Sequence, residues 1–180
     1  MSVNRARATR RTMLAAIAGG AMVLGAAKPW ARAPAMFGGP WISIETPVNP
    51  FDASTRGAVL LVHTFHHGTK VNVPLNGTAE GLVDGQRRSV ALKLVKSSQT
   101  GTYGLHRQWG DKGIWTLLIN ANALEHGGGV QAVVNIADDG EVERVRVPRT
   151  ASNGYRMLSA AEVERDLRDR AKTPTAVGAR

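Results

Sequence analysis

The sequence predicts an all-β protein, an antiparallel sandwich of about seven or eight strands followed by one short helix. Three observations support this prediction. Short segments alternate apolar and polar residues with the period of two that is typical of strands. They recur about every 10–15 residues and are separated by turn signals rich in Gly, Pro and Asp. No helical segment connects them, which excludes parallel βαβ units and favours an immunoglobulin-like sandwich.

Eight segments are predicted as strands. They are Trp41–Thr46, Gly57–His67, Asn76–Val83, Gln86–Lys96, Gly101–Trp109, Ile114–Ala121, Gln131–Ala137 and Glu141–Val147. In the first, Trp41 groups with the isoleucines against Ser43 and Glu45. The second is apolar on both faces at its start, as in a central strand that is covered on both sides. Asp84-Gly85 predicts a two-residue hairpin, and the mixed charges of the last segment suit an edge strand.

A short helix is predicted after the strands. Ser159-Ala160-Ala161-Glu162 is a capping box, in which the hydroxyl and the carboxylate satisfy the first helical N–H groups. It predicts a helix over Ala160–Lys172, where Val163 and Leu167 form a narrow apolar stripe among charged residues. The stripe favours a marginal surface helix that docks loosely, and the alternative is a helix that docks a partner. Thr173–Arg180 is predicted to be a disordered tail.

The first 33 residues are predicted to be an export signal. Arg10 and Arg11 lie in Thr9–Leu14, which resembles the twin-arginine export motif, with Met13 where Phe is often found. The uncharged run Met13–Ala27 has 15 residues, fewer than the about 20 that a spanning helix needs. We therefore expect the twin-arginine export machinery as a partner, a periplasmic or secreted location, and no stable membrane span in the mature chain. The alternative is an uncleaved N-terminal anchor.

The expected domain organisation is a signal at 1–33, a linker at 34–40 and a β-sandwich at 41–148. A linker, the short helix and the tail follow at 149–180. The chain has no cysteine, which excludes a disulfide and a lipid-anchored cysteine. A core of this size is sufficient without such crosslinks.

The basic charge belongs mostly to the signal. The chain has 23 basic and 14 acidic residues, and residues 1–33 hold six of the basic and none of the acidic ones. The remainder therefore has 17 basic and 14 acidic residues, a net charge of +3. A nucleic-acid partner would require a basic patch on the folded domain. The cations are scattered, with Arg144, Arg146 and Arg149 as the densest set, so we expect no nucleic-acid binding.

Two neighbouring segments carry a recurring pattern of glycine and aromatic residues. In Gly101–Leu105 a glycine precedes a tyrosine by two residues, and in Gly113–Leu117 a glycine precedes tryptophan and leucine. This pattern resembles two strands of YtkA-like and related immunoglobulin-like periplasmic domains, and the hairpin of Gly77–Leu94 is also similar to that group. The resemblance covers Trp41–Val147 in architecture. It implies an accessory module, sometimes of a metal- or redox-linked envelope system, and transfers no catalytic residue.

Three histidines within five residues, His63, His66 and His67, suggest a copper or zinc site. Strand geometry opposes this, because His63 and His67 would stand ~13 Å apart at ~3.3 Å per residue. His66 would point to the other face, whereas a zinc–nitrogen bond is about 2 Å. A shared site would need the strand to end or bulge near Phe65, together with further ligands. The candidates for these further ligands are His106, His126, Met36 and Glu45.

Signatures of catalysis are missing from the sequence. It has no cysteine nucleophile, no G-x-S-x-G elbow and no H-E-x-x-H. Gly127-Gly128-Gly129 lacks the Lys-Ser/Thr and the helix of a phosphate loop, which predicts a flexible connection. A hydrolase on this scaffold would therefore have no recognisable motif.

We expect a non-enzymatic binding or accessory module of the cell envelope that acts on a protein partner and needs no cofactor. Its expected binding surfaces are the sandwich loops and the C-terminal helix. The alternative is a periplasmic copper- or zinc-binding accessory protein. Its metal ligands would be His63, His66, His67 and His106.

Overall fold

The computed structural model describes residues 40–123 and 128–172. Over this part, the chain forms two antiparallel sheets and one C-terminal helix, so the predicted all-β sandwich is confirmed. The predictions for the signal, Met36, His126 and the tail concern residues outside this part, as does nearly all of the predicted linker. No helix of the described residues is long and apolar enough to cross a membrane.

The described residues contain ten strands, two more than predicted. The strands are β1 (Trp41–Glu45), β2 (Leu60–His66), β3 (Thr69–Lys70), β4 (Leu75–Val83), β5 (Gln86–Ala91), β6 (Leu94–Lys96), β7 (Thr102–Leu105), β8 (Ile114–Ala123), β9 (Gly128–Ile136) and β10 (Val142–Arg146). Sheet A has the order β1–β2–β7–β6, with β3 paired to the end of β2. Sheet B has the order β10–β9–β8–β4–β5. The helix α1 (Ala160–Lys172) follows, within its predicted bounds.

The strand order is that of an immunoglobulin-like sandwich. Sheet A repeats the A-B-E-D order of that fold, and β9, β8 and β4 repeat the G-F-C order of the facing sheet. The strand β10 extends sheet B beyond β9 and is an edge strand, as predicted. Its pairing is interrupted by a register shift between Val142 and Arg144, a second device that discourages further pairing.

The hydrophobic core lies between the two sheets and excludes water from both inner faces. Its buried members include Ile42, Leu60, Val62, Tyr103, Leu105, Trp115, Leu117, Ile119, Val134 and Ile136. The Tyr103 hydroxyl donates to the Val73 carbonyl at 2.9 Å, and burial raises the pKa of this phenol. The Trp115 ring covers Gly81 so closely that a Cβ there would lie 2.5 Å from it. This contact explains a glycine within β4.

Several predicted strands have different bounds in the structure. The segment Gln86–Lys96 is two strands in different sheets, because β5 pairs with β4 whereas β6 pairs with β7. The inner faces of both sheets require an apolar residue at every second position. The alternation therefore continues from β5 into β6, although the chain passes from one sheet to the other. The segments Gly57–His67 and Gly101–Trp109 are shorter, beginning at Leu60 and ending at Leu105 respectively. Gly127-Gly128-Gly129 was predicted to be a flexible connection, but β9 begins at Gly128, so Gly128 and Gly129 belong to a strand.

Two hairpins have two-residue turns in the left-handed conformation. Asp84 and Gly85 have φ of 50° and 75° and join β4 to β5, as predicted. His67 and Gly68, with φ of 50° and 79°, join β2 to β3. This second hairpin was not predicted, because His67 was expected to end a longer strand.

Candidate binding surface

The outer face of sheet B is covered by α1. The helix packs against β8 and β4 and buries Val163 and Leu167, the predicted apolar stripe. Val133 of β9, which pairs with Leu118 across the sheet, is fully buried outside the main core. The stripe is therefore used within the molecule, and it is not available to a partner while α1 is docked.

Polar contacts hold α1 more firmly than its narrow stripe predicts. The Arg170 guanidinium donates to the carbonyls of Trp115 at 2.9 Å and Ile136 at 2.6 Å. It also donates to the Glu143 carboxylate at 2.9 Å. Asp166 pairs with Arg146 at 2.8 Å, and the Thr116 hydroxyl donates to the same carboxylate. Charges that appeared balanced and solvated in the sequence thus connect the helix to β8, β9 and β10, and Glu164 pairs with Arg87 of β5 at 2.8 Å.

The helix α1 does not pack on the outer face of sheet A. The centre of this face is nevertheless buried, since Leu61, His63 and Thr102 are 4%, 8% and 1% exposed. Leu60 and Val62 of β2 point into the core, so the alternate residues of this strand point outward. The register places the neighbouring strands' residues on the same face. This outer face of sheet A consists of Trp41, Ser43, Glu45, Leu61, His63, Phe65, Lys70, Val95, Thr102 and Gly104.

An aromatic stack lies at one end of this face. Trp41 of β1 is the direct cross-strand partner of Phe65 of β2. Their rings are parallel within 6° and their centroids are 4.0 Å apart. Trp41 nevertheless keeps 38% of its surface exposed, and Val95 keeps 47%. The predicted grouping of Trp41 with the inward isoleucines is wrong, because Trp41 shares the outer face with Ser43 and Glu45.

His63 lies at the centre of a polar network on the same face. Its Nε2 contacts the Glu45 carboxylate at 2.8 Å, and its Nδ1 contacts the Thr102 hydroxyl at 3.2 Å. The Lys70 ammonium donates to that hydroxyl at 3.4 Å. Thr102 is 1% exposed, so this acid–histidine–hydroxyl series does not present a nucleophile to a substrate. The network instead connects β1, β2, β3 and β7.

The four predicted metal ligands lie at three separate places. Both ring nitrogens of His63 are engaged by the network just described. His106 is exposed, and its Nδ1 lies 3.0 Å from the Gly57 carbonyl oxygen. His66 and His67 lie together, with ring centroids 4.1 Å apart. Among residues 40–123 and 128–172, no group of three or more His, Cys, Asp or Glu side chains could hold a metal ion.

The stack and the network were not found in the sequence because their members are distant along the chain. Glu45 is 18 residues from His63, and Thr102 is 39 residues from it. The period-two pattern assigns residues to faces, but it contains no information on register between strands. The signal that was available was the alternation of β1, which puts Trp41 and Glu45 on one face.

The fold and its surfaces define an immunoglobulin-like sandwich with one outer face covered by its own helix and one on which that helix does not pack. Comparison with known proteins finds no matching family model, no matching curated protein and no matching solved structure. The outer face of sheet A is the candidate binding surface, since it combines exposed apolar side chains with a fixed polar network.

Proposed function

We propose that this protein is an exported, non-enzymatic binding module of the cell envelope, and that its partner is a protein that docks on the outer face of sheet A. The observation that carries this proposal is the exposed Trp41–Phe65 stack. Tryptophan is enriched among the residues that contribute most to protein–protein binding. A rigid stacked pair loses little conformational freedom on binding, which favours affinity.

The chemistry of this face favours a protein over a small molecule. Small ligands bind in concave clefts that bury most of their surface, whereas this candidate is the face of a sheet. Exposed apolar side chains, Trp41 and Val95, share this face with the charged groups of Glu45 and Lys70. Protein interfaces usually combine apolar side chains with polar groups in this way.

The His63 network supports the proposal by holding the face in one conformation. It joins side chains of four strands through hydrogen bonds of 2.8–3.4 Å. A partner therefore meets a surface that is already ordered, and binding does not have to fix it. In this role Glu45, His63 and Thr102 are positioning residues rather than catalytic ones.

Site-specific photocrosslinking tests the binding face. A photoreactive amino acid is placed at Ser43 or Val95 on the proposed face, and at Phe51 in the β1–β2 loop or Arg165 on α1 for comparison. The experiment uses the complete exported protein in the cells that make it. We expect one adduct of constant size from Ser43 and Val95 only, and Trp41→Ala should abolish it.

Two controls make this result decisive. Met157→Ala removes another exposed apolar side chain, 49% exposed, and should leave the adduct unchanged. Thermal unfolding shows whether Trp41→Ala remains folded. An adduct that forms mainly from Phe51 or Arg165 would assign binding to the loops or the helix, and equal adducts from all positions would indicate nonspecific contact. Either result overturns the proposed face.

Export is tested separately through the twin-arginine motif. Replacing Arg10 and Arg11 together by Lys conserves charge but removes the guanidinium pair of the motif. We expect the precursor to accumulate in the cytoplasm while the wild type is recovered in the exported fraction. Export that is unaffected by the double substitution would contradict the twin-arginine route without bearing on the binding face.

A further inference from the structure

The tip of the β2–β3 hairpin brings two histidines together. The strand β2 ends at His66, and His67 occupies the first position of the two-residue turn. The left-handed conformation of His67, with φ of 50°, changes the direction in which its side chain leaves the backbone. The two rings therefore lie side by side, with centroids 4.1 Å apart and planes at 67°. A continuous strand would have placed them on opposite faces.

We propose that the His66–His67 pair is a binding site for a divalent transition metal ion, with Cu(II) preferred and Zn(II) second. This goes beyond the proposed function, since the site lies at the hairpin tip and needs no partner protein. Two imidazoles that share an ion at nitrogen–metal distances of about 2 Å have ring centroids about 4.5–5 Å apart. The observed centroid separation is 4.1 Å, and rotation of the side chains that turns one nitrogen of each ring toward a common point would form the site.

The ligand type determines which ion is expected. Imidazole nitrogen suits copper, zinc and nickel, and affinity rises toward Cu(II) along the divalent series. Two protein ligands leave the other coordination positions to water, which makes this an open, exchangeable site rather than a structural one. The nearest basic residue of the hairpin is Lys70, which pairs with Phe65 and donates to Thr102, away from the face of His66. Repulsion of the cation is thereby reduced.

The turn position of His67 is a second observation in favour of the site. Residues at this position of such turns are mostly Asn, Asp or Gly, because they tolerate the left-handed conformation. Histidine is enriched with Asn and Asp among the non-glycine residues that adopt this uncommon conformation, and residues in such conformations cluster at ligand sites. The hairpin also keeps both side chains at the end of a paired strand, so chelation does not require the backbone to become ordered.

Copper titration of the complete exported chain, prepared without an affinity tag, tests the site. Calorimetry should give one Cu(II) per chain, and electron paramagnetic resonance should report two imidazole nitrogens. His67→Asn keeps a residue that accepts the left-handed turn, so loss of binding in this variant does not reflect a broken hairpin. We expect His66→Asn and His67→Asn each to weaken binding about tenfold or more and to leave a one-nitrogen signature.

The matched controls are His106→Asn and His126→Asn, which remove a single histidine elsewhere and should leave the titration unchanged. Copper affinity that is the same in both hairpin variants as in the wild type would overturn the proposal. A two-nitrogen signal that survives His67→Asn or is lost in a control variant would overturn it too. Crosslinking through the outer face of sheet A is independent of these outcomes, so the two proposals fail separately.

Discussion

The two outer faces of this sandwich use similar residues for different purposes. On sheet B, apolar and charged side chains are turned toward the molecule's own helix, where Leu167 is fully buried and Arg170 reaches two strand carbonyls. On sheet A, an aromatic pair and a carboxylate–histidine pair lie on a face that α1 does not cover. The first face therefore contributes mainly to stability, and the second is the face that we propose for binding.

The covered face of sheet B shows how polar contacts can hold α1 in place. The apolar stripe of α1 has only two buried residues, Val163 and Leu167. An isolated helix of this length is marginal in water, so its stability comes from docking. Charge-assisted hydrogen bonds to buried carbonyls are stronger than ion pairs at the surface, because solvent screens the latter. Arg170 thus contributes more than an exposed helix arginine such as Arg168.

The largest expected effect compares one apolar residue from each face. Leu167→Ala removes a fully buried side chain and leaves a cavity under α1, which should lower the free energy of unfolding by about 3 kcal/mol. Trp41→Ala removes a larger but partly exposed side chain and should cost about 1.5 kcal/mol. Urea denaturation measures both values. Amide exchange should accelerate throughout α1 only in Leu167→Ala. A larger loss in Trp41→Ala would mean that the outer face of sheet A is primarily structural.

The next effect isolates the polar part of the helix interface. Arg170→Met keeps most of the aliphatic stem but leaves the carbonyls of Trp115 and Ile136 without this donor. We expect a loss of about 2 kcal/mol in unfolding free energy. The matched control is Arg168→Met, which removes a 66%-exposed partner of Glu164 and should cost about 0.3 kcal/mol. Equal losses in the two variants would show that the hydrogen bonds of Arg170 hold α1 no more strongly than an exposed ion pair does.

The elements that the sequence predicted well are those specified by local chemistry. The capping box predicted α1, and the structure has the Glu162 carboxylate accepting from the Ser159 amide at 2.8 Å. Asp84-Gly85 predicted its hairpin because glycine and aspartate tolerate the left-handed turn. The period of two also predicted which residues of a strand point inward. The exception is Trp41, which was assigned to the inner face with Ile42 although neighbouring residues of a strand point to opposite faces.

The features that the sequence did not predict depend on contacts between distant segments. The sheet to which a strand belongs is not encoded in its alternation, so the switch between β5 and β6 was missed. The pairing of Trp41 with Phe65 and of Glu45 with His63 follows from strand register, which no local pattern specifies. The contact between His66 and His67 arises because His67 has a left-handed backbone conformation, whereas an extended one was expected from the sequence.

The smallest expected effect is the pH dependence of the helix N-terminus. Hydrogen bonds from the backbone amide and the hydroxyl of Ser159, and then from Arg156, lower the pKa of Glu162 from 4.5 to about 2. Because the folded pKa lies below the unfolded one, the ionised carboxylate stabilises the folded state above about pH 4.5. That stabilisation is lost as the pH falls from 4.5 toward 2. Glu162→Gln should therefore be less stable than wild type at pH 6 and converge with it near pH 2.

Urea midpoints measured at pH 6, 4, 3 and 2 check this expectation, with the helical circular dichroism signal as the readout. Ser159→Ala removes the hydroxyl donor but keeps the backbone amide, so it should reduce the pH dependence without abolishing it. A constant difference between wild type and Glu162→Gln across this range would mean that the carboxylate acts through packing rather than charge. Because this capping box starts the helix that covers sheet B, the titration bears on the covered face and should leave crosslinking through the outer face of sheet A unchanged at pH 6.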